Sequence, residues 1–173
     1  RLLRSLGSGE VEVGRRLVEW RLRRLGATAS TYPGEYRVGT IHTSAPLQPP
    51  PVSTRTTTAA DLGHMLATMH AAAAGSTRAQ RSSGLSQHEA RIGIALLLDS
   101  EPSGENVGLF RPWLPRLMPA AQKHGWISSA RHSAAVIYGP RGPIVVSLLT
   151  YRDGLALRDA QLLGRRVVLT ALR

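Results

Sequence analysis

The spacing of hydrophobic positions changes along the chain, and each spacing predicts a different kind of element. Between Glu10 and Leu25, Val11, Gly14, Val18, Leu22 and Leu25 recur every three or four residues, which predicts an amphipathic helix. Glu12 with Arg16 and Glu19 with Arg23 put acid-to-base pairs four apart on its outer side, and Gly26 ends it. Before it, Arg1 to Leu6 reads as a short helical piece closed by Gly7-Ser8-Gly9. A further helix opens at Thr58, an N-cap with Asp61 three residues on, and its inner stripe is Leu62, Met65, Leu66, Met69 and Ala73. The run Gln87 to Asp99, rich in Ile and Leu, predicts a buried helix, although an apolar run alone also fits a strand.

Near the C-terminus the elements become short and β-branched. His132 to Tyr138 and Ile144 to Tyr151 flank the turn formers Gly139-Pro140-Arg141-Gly142-Pro143, the signature of a hairpin. Lys123-His124-Gly125-Trp126 reads as a third, adjoining antiparallel strand, joined to the hairpin by a short Ser-rich turn, and Leu155 to Leu172 as one long amphipathic helix behind the sheet. Prolines mark the connections. Residues 27–55 hold Pro33, Pro46 and the run Pro49-Pro50-Pro51, which forbid a continuous helix or central strand. A loop this long is commonly functional or disordered, and it is expected to wall an active site, with Glu35 as its only carboxylate. Residues 71–86 read as a small, polar connection, 100–108 as a turn-rich loop, and Phe110 to Pro119 as single turns and extended pieces.

Composition narrows the picture. At 173 residues with 42% hydrophobic and 19% charged content, the chain is long enough for one folded body with a real core, filled mainly by Leu, Val, Ile and Ala because aromatics are only 5%. The net charge of +11, almost all of it from Arg, permits nucleic acid or anionic surfaces as partners. The arginines are scattered, however, and the cluster Arg15, Arg16, Arg21, Arg23 and Arg24 reads as a solvated helix face. The chain has no Cys, so disulfides and thiolate metal sites are excluded. His64 and His70 lie six apart, a poor spacing for two ligands on one helix, and no metal or cofactor is expected. No run of 18 apolar residues appears. Because the chain opens on Arg1-Leu2-Leu3-Arg4, like the middle of a helix, it is expected to be the later part of a longer protein.

A basic residue and a glycine opening a strand, then a hairpin, then a closing helix, resembles the C-terminal end of the class A β-lactamase and penicillin-binding-protein superfamily of serine hydrolases. There the opening strand carries Lys-Thr-Gly, and the following strand often begins Gly-x-x-Arg-His-Asp. Here Lys123-His124-Gly125 and Ser129-Ala130-Arg131-His132-Ser133 stand in those places. The resemblance extends upstream in the right order through Leu2-Leu3-Arg4-Ser5-Leu6-Gly7, Leu22-Arg23-Arg24-Leu25-Gly26, the proline-rich loop, Thr56 to Asp61, and Leu114-Pro115. It implies an α/β (α+β) fold of the β-lactamase/transpeptidase type, N-terminally incomplete. Residues 1–111 would form a partial helical subdomain with an Ω-like loop at 27–55, and residues 112–173 the strands and C-terminal helix of the α/β subdomain.

The same resemblance implies a substrate-binding set of Lys123, His124, Gly125, Arg131 and His132. It would hold a small acyl substrate bearing a carboxylate, a β-lactam or peptide-like molecule, in an exported (secreted or periplasmic) protein. The lysine would add positive charge, the middle residue would donate to the carboxylate, and the glycine would leave the strand open for close approach. The departures are also clear. No Ser-x-x-Lys or Ser-Asp-Asn occurs, so no catalytic residue is assigned in this chain and the nucleophile is expected before Arg1. Glu35 lacks the Glu-x-x-Leu-Asn pattern, and His124 replaces the usual Thr or Ser. Three readings stay open: a β-lactamase-like serine hydrolase, with this chain inactive alone; a non-catalytic protein of the same fold; and a basic nucleic-acid-binding module, for which no interleaving of basic and aromatic residues is visible.

Overall fold

The computed structural model describes residues 1–32, 56–99, 107–127 and 130–173. Among the described residues six helices and three strands follow in the order α1 (Leu2–Leu6), α2 (Val11–Arg24), α3 (Ala59–Ala73), α4 (Thr77–Ser83), α5 (Gln87–Asp99), a 3-10 turn (Arg111–Trp113), β1 (Ala120–Ile127), β2 (Ala130–Gly139), β3 (Gly142–Tyr151) and α6 (Leu157–Ala171). The α+β architecture implied by the resemblance is present, and each predicted strand and helix has its counterpart.

The sheet is an antiparallel meander in the order β1-β2-β3. Its hairpin closes on Gly139 paired with Gly142, leaving Pro140 and Arg141 as a two-residue loop. Gly142 has φ of +109°, a conformation that an L side chain rarely adopts. Strand alternation then gives the sheet two apolar faces. Ala121, Ala134 and Val136 pack with Leu66 of α3 and Ile94 of α5, while Ala135, Ile137 and Val146 pack with Leu109, Phe110, Leu114, Ala160 and Val168 on the side of α6. Helices therefore cover both faces, which is why β2, the central strand, is buried from Ser133 through Ile137.

Close helix packing rests on two glycines. A Cβ on Gly164 of α6 would fall 2.2 Å from the Leu109 carbonyl oxygen, and one on Gly14 of α2 would fall 2.0 Å from that of Leu3. The Gly14 contact explains why the inner stripe of α2 has a glycine at its centre: α1 folds straight back on it. Phe110, the only phenylalanine, is fully buried in the core on the α6 side, whereas Trp20, Trp126 and Tyr151 are exposed.

Three expectations are corrected. The segment 71–86 is more than a connection, because Ser76 caps and Gly84 terminates a helix within it, α4. The α5 segment is helical but only Ala90 and Ile94 are buried, whereas Ile92, Leu96 and Leu98 are exposed. The arginines of α2 are also divided. Arg21 donates to the Ser83 carbonyl at 2.7 Å and Arg24 to those of Ser82, at 2.8 Å, and Arg81, so both guanidiniums satisfy carbonyls left free at the end of α4. Arg15 sits between Glu12, at 2.6 Å, and Glu19, at 2.9 Å.

Of the proline-rich loop, residues 27–32 are described, and Glu35 lies outside the described residues. The root is tied. Thr31 donates its backbone N–H to the Thr56 carbonyl at 2.9 Å, and the Thr56 N–H bonds the Thr31 hydroxyl at 3.0 Å. Asp61, buried in the first turn of α3, accepts from the Ala29 N–H at 2.9 Å and from the Ser30 hydroxyl at 2.6 Å. Thr58 caps α3 as expected, accepting from the Asp61 N–H at 3.0 Å, while the Asp61 carboxylate serves the loop root.

Candidate active site

β1 and β2 carry all five residues predicted to bind substrate, and their register fixes which can act together. Lys123 pairs with Ala134, His124 with Ser133, Gly125 with His132 and Trp126 with Arg131. Since neighbours along a strand point to opposite faces, Lys123, Gly125 and His132 share the face covered by α3 and α5, whereas His124 and Arg131 lie on the face of α6. The predicted set is thus split in two by the pleat.

Lys123 is the only lysine among the chain's 22 basic residues. It is exposed, folds its ammonium toward the carbonyl of His124, and stands at the rim of a cavity of about 260 Å³. The rest of that lining is Leu25, Leu62, Met65, Leu66, Met69, Leu97 and Ala134, so the cavity is apolar apart from one cation. The two methionines of α3, expected as core filler, form its floor, and Met69 also packs into the core. At Gly125 a Cβ would meet nothing within 4 Å, so the strand presents bare backbone there. His132, across from Gly125, accepts the Thr150 N–H on Nδ1 at 3.3 Å. Burial pushes its pKa below the ordinary 6.5, partly offset by the Arg131 carbonyl.

On the other face His124 is half-buried. A Cβ added to Gly108 would lie 3.5 Å from the His124 Cβ and 3.1 Å from the Ser133 hydroxyl, so the imidazole stem packs beside that loop. Ser133 in turn holds the loop by accepting the Leu109 N–H at 3.0 Å. Burial lowers the pKa of His124, and the positive charges of Lys123 and Arg131 lower it further. Arg131 stacks its guanidinium 4.9 Å above the Trp126 ring, and its backbone carbonyl accepts the Thr150 hydroxyl at 2.5 Å. Among the described residues no three His, Asp or Glu side chains converge on a metal site, and no helix is long and apolar enough to cross a membrane.

Sequence reasoning missed two parts of this corner. The cavity beside Lys123 needs Leu25 at the end of α2 together with residues from α3, α5, β1 and β2, a juxtaposition that no local spacing encodes. Asp61 was legible as a capping residue, but its grip on Ala29 and Ser30 spans 31 to 32 positions.

Comparison with known proteins matches residues 2–170 to the family model described as the beta-lactamase enzyme family. A search of the curated proteins finds no match. Among solved structures, the fold is similar to a β-lactamase from Sphaerobacter thermophilus DSM 20745, with TM-score 0.65, 15% identity, and 96% of this chain against 55% of that one. It is also similar to the chromosome-encoded β-lactamase of Vibrio parahaemolyticus, with TM-score 0.63, 15% identity, and 98% of this chain against 62% of that one. A third is a PBP-A mutant solved as an acyl-enzyme complex with penicillin G, with TM-score 0.62, 14% identity, and 93% against 53%. The chain therefore spans between about half and three fifths of the length of these structures.

Proposed function

Because the chain belongs to the β-lactamase enzyme family, we propose that it supplies the substrate-anchoring corner of a β-lactamase-like serine hydrolase acting on a β-lactam or related acyl or amide compound. The observation that carries this reading is Lys123, the one lysine, exposed on the same sheet face as Gly125 and His132. An ammonium beside open strand backbone suits a carboxylate: the charge attracts it, and the missing Cβ of Gly125 lets it approach the peptide groups. His132, directly across from Gly125, places an imidazole beside that open backbone. His124, on the opposite face, positions the strand against the Gly108 loop.

The chemistry needs a serine with an adjacent base. Ser-x-x-Lys cannot be formed by these residues, since the residue three before the sole lysine is Ala120. In the proposed reaction a serine of a preceding segment adds to the acyl carbon, the C–N bond breaks as the nitrogen takes a proton, and water then cleaves the resulting ester. The residues of this chain hold and orient the substrate during those steps.

Mass spectrometry after incubation with benzylpenicillin tests the reading. This chain alone is expected to gain no acyl mass, whereas the chain folded together with a segment bearing Ser-x-x-Lys gains one penicilloyl group on that serine. Acylation of a serine within these 173 residues would overturn it. The second reading, a non-catalytic protein of the same fold, is favoured by His124 at the middle of the triplet, and failure of the combined protein to label would support it.

A further inference from the structure

Residues 109–173 hold ten of the chain's 22 Lys and Arg but two of its 11 Asp and Glu, so a net of +8 out of +11 sits in little more than a third of the length. One of those acids, Asp159, is already paired with Arg152 at 2.5 Å. On α6 the inward positions are Ala160, Gly164 and Val168, all buried. A turn of 100° per residue places Leu162, Arg166 and Leu169 on the opposite side, with Arg158 and Arg165 flanking them. The arginines there are exposed, and Leu162 and Leu169 remain 43% and 39% exposed between them.

A second feature adjoins this face. The Arg165 guanidinium lies 5.6 Å over the ring of Trp113, and the loop that follows Trp113 carries Leu117 at 91% exposure beside Arg116. The loop is braced rather than loose: Arg111 donates to the carbonyls of Met118 at 2.6 Å, Pro115 at 3.3 Å and Arg116 at 2.5 Å. A leucine held out in water on a braced loop gives the fold little, and the exposed leucines and arginines together suit a partner that uses both.

We propose that the outer face of α6 and the Leu117 tip form a docking surface for an anionic phospholipid bilayer. The guanidiniums meet lipid phosphates, for which their planar fork is suited, while Leu117, Leu162 and Leu169 enter the boundary between headgroups and acyl chains. A nucleic acid would engage the arginines but leave the leucines in water. The one aromatic ring of the surface, Trp113, lies beneath Arg165 rather than open to a base.

The test is co-sedimentation of the full chain with vesicles of equal parts phosphatidylglycerol and phosphatidylcholine, compared with phosphatidylcholine alone and with duplex DNA. Binding to the anionic vesicles only is expected, weakening with salt. The double variant Arg158→Glu/Arg166→Glu should lower it about tenfold or more, and Leu117→Ser with Leu169→Ser about threefold or more at an unchanged circular dichroism spectrum. Because all four side chains are exposed, either pair alone is informative. No vesicle binding, equal binding to neutral vesicles, serine variants that bind like the parent chain, or tighter binding to DNA than to vesicles would each overturn the proposal.

Discussion

Replacing Asp61 by alanine should be the most damaging single polar change in the helical part of the chain. The side chain is 4% exposed, and its carboxylate is the acceptor for two donors on a distant segment, the Ala29 N–H at 2.9 Å and the Ser30 hydroxyl at 2.6 Å. Hydrogen bonds to a charged group contribute about 1.5 to 3 kcal/mol each. Ser30 retains a neighbour in the Thr57 hydroxyl at 2.8 Å, which reduces its share, but the Ala29 N–H is left without this acceptor. The sum is about 3 kcal/mol, and at about 2 to 4 °C per kcal/mol for a chain of this size the melting temperature should fall by roughly 6 to 12 °C. Urea denaturation followed by circular dichroism measures the change, with Thr58→Ala as a reference for loss of the N-cap alone, about 1 kcal/mol. If Asp61→Ala and Thr58→Ala cost the same, the carboxylate does not anchor the loop root and the reasoning fails.

The pH dependence has a defined sign. Both His124 and His132 titrate below 6.5 in the folded chain, so the unfolded chain takes up their protons first. Stability should be flat above that value and decline as pH falls from 6.5 toward 5.5, with a smaller decline in His132→Gln; a melting temperature that rises over this interval contradicts the assignment. Arg21→Ala removes the 2.7 Å bond to the Ser83 carbonyl at the end of α4 and should cost about 1 kcal/mol in urea denaturation. Gly164→Ala drives a Cβ to 2.2 Å from the Leu109 carbonyl oxygen and should cost about 3 kcal/mol or more, whereas Gly125→Ala enters open space and should leave the melting temperature unchanged.

How much of this was legible depends on the range over which each signal acts. The hairpin was readable because Gly139-Pro140-Arg141-Gly142 and its flanking strands are local, and α2 because its stripe repeats within 15 residues. The exposure of Ile92, Leu96 and Leu98 was not, since an apolar run carries no information on which neighbours cover it. α4 was hidden in a small polar stretch whose helix is held by Ser76, Gly84 and the guanidiniums of Arg21 and Arg24, two of which come from 57 or more residues upstream. At the candidate site, the order of motifs put forward five residues, but the division of Lys123, Gly125 and His132 from His124 and Arg131 follows only once the strand is known to run unbroken through Ala120–Ile127.

That division is the centre of the account, and one measurement addresses it directly. With a single lysine, nitrogen-15 labelling of lysine gives one ammonium signal, and labelled histidine reports His124 and His132 among the chain's six, each assigned by its loss in the His124→Gln or His132→Gln variant. On titration with benzylpenicillin the account predicts saturable shifts at Lys123 and His132, little change at His124, and loss of the response in Lys123→Ala. Movement of His124 alone, or an undiminished response in Lys123→Ala, would contradict it.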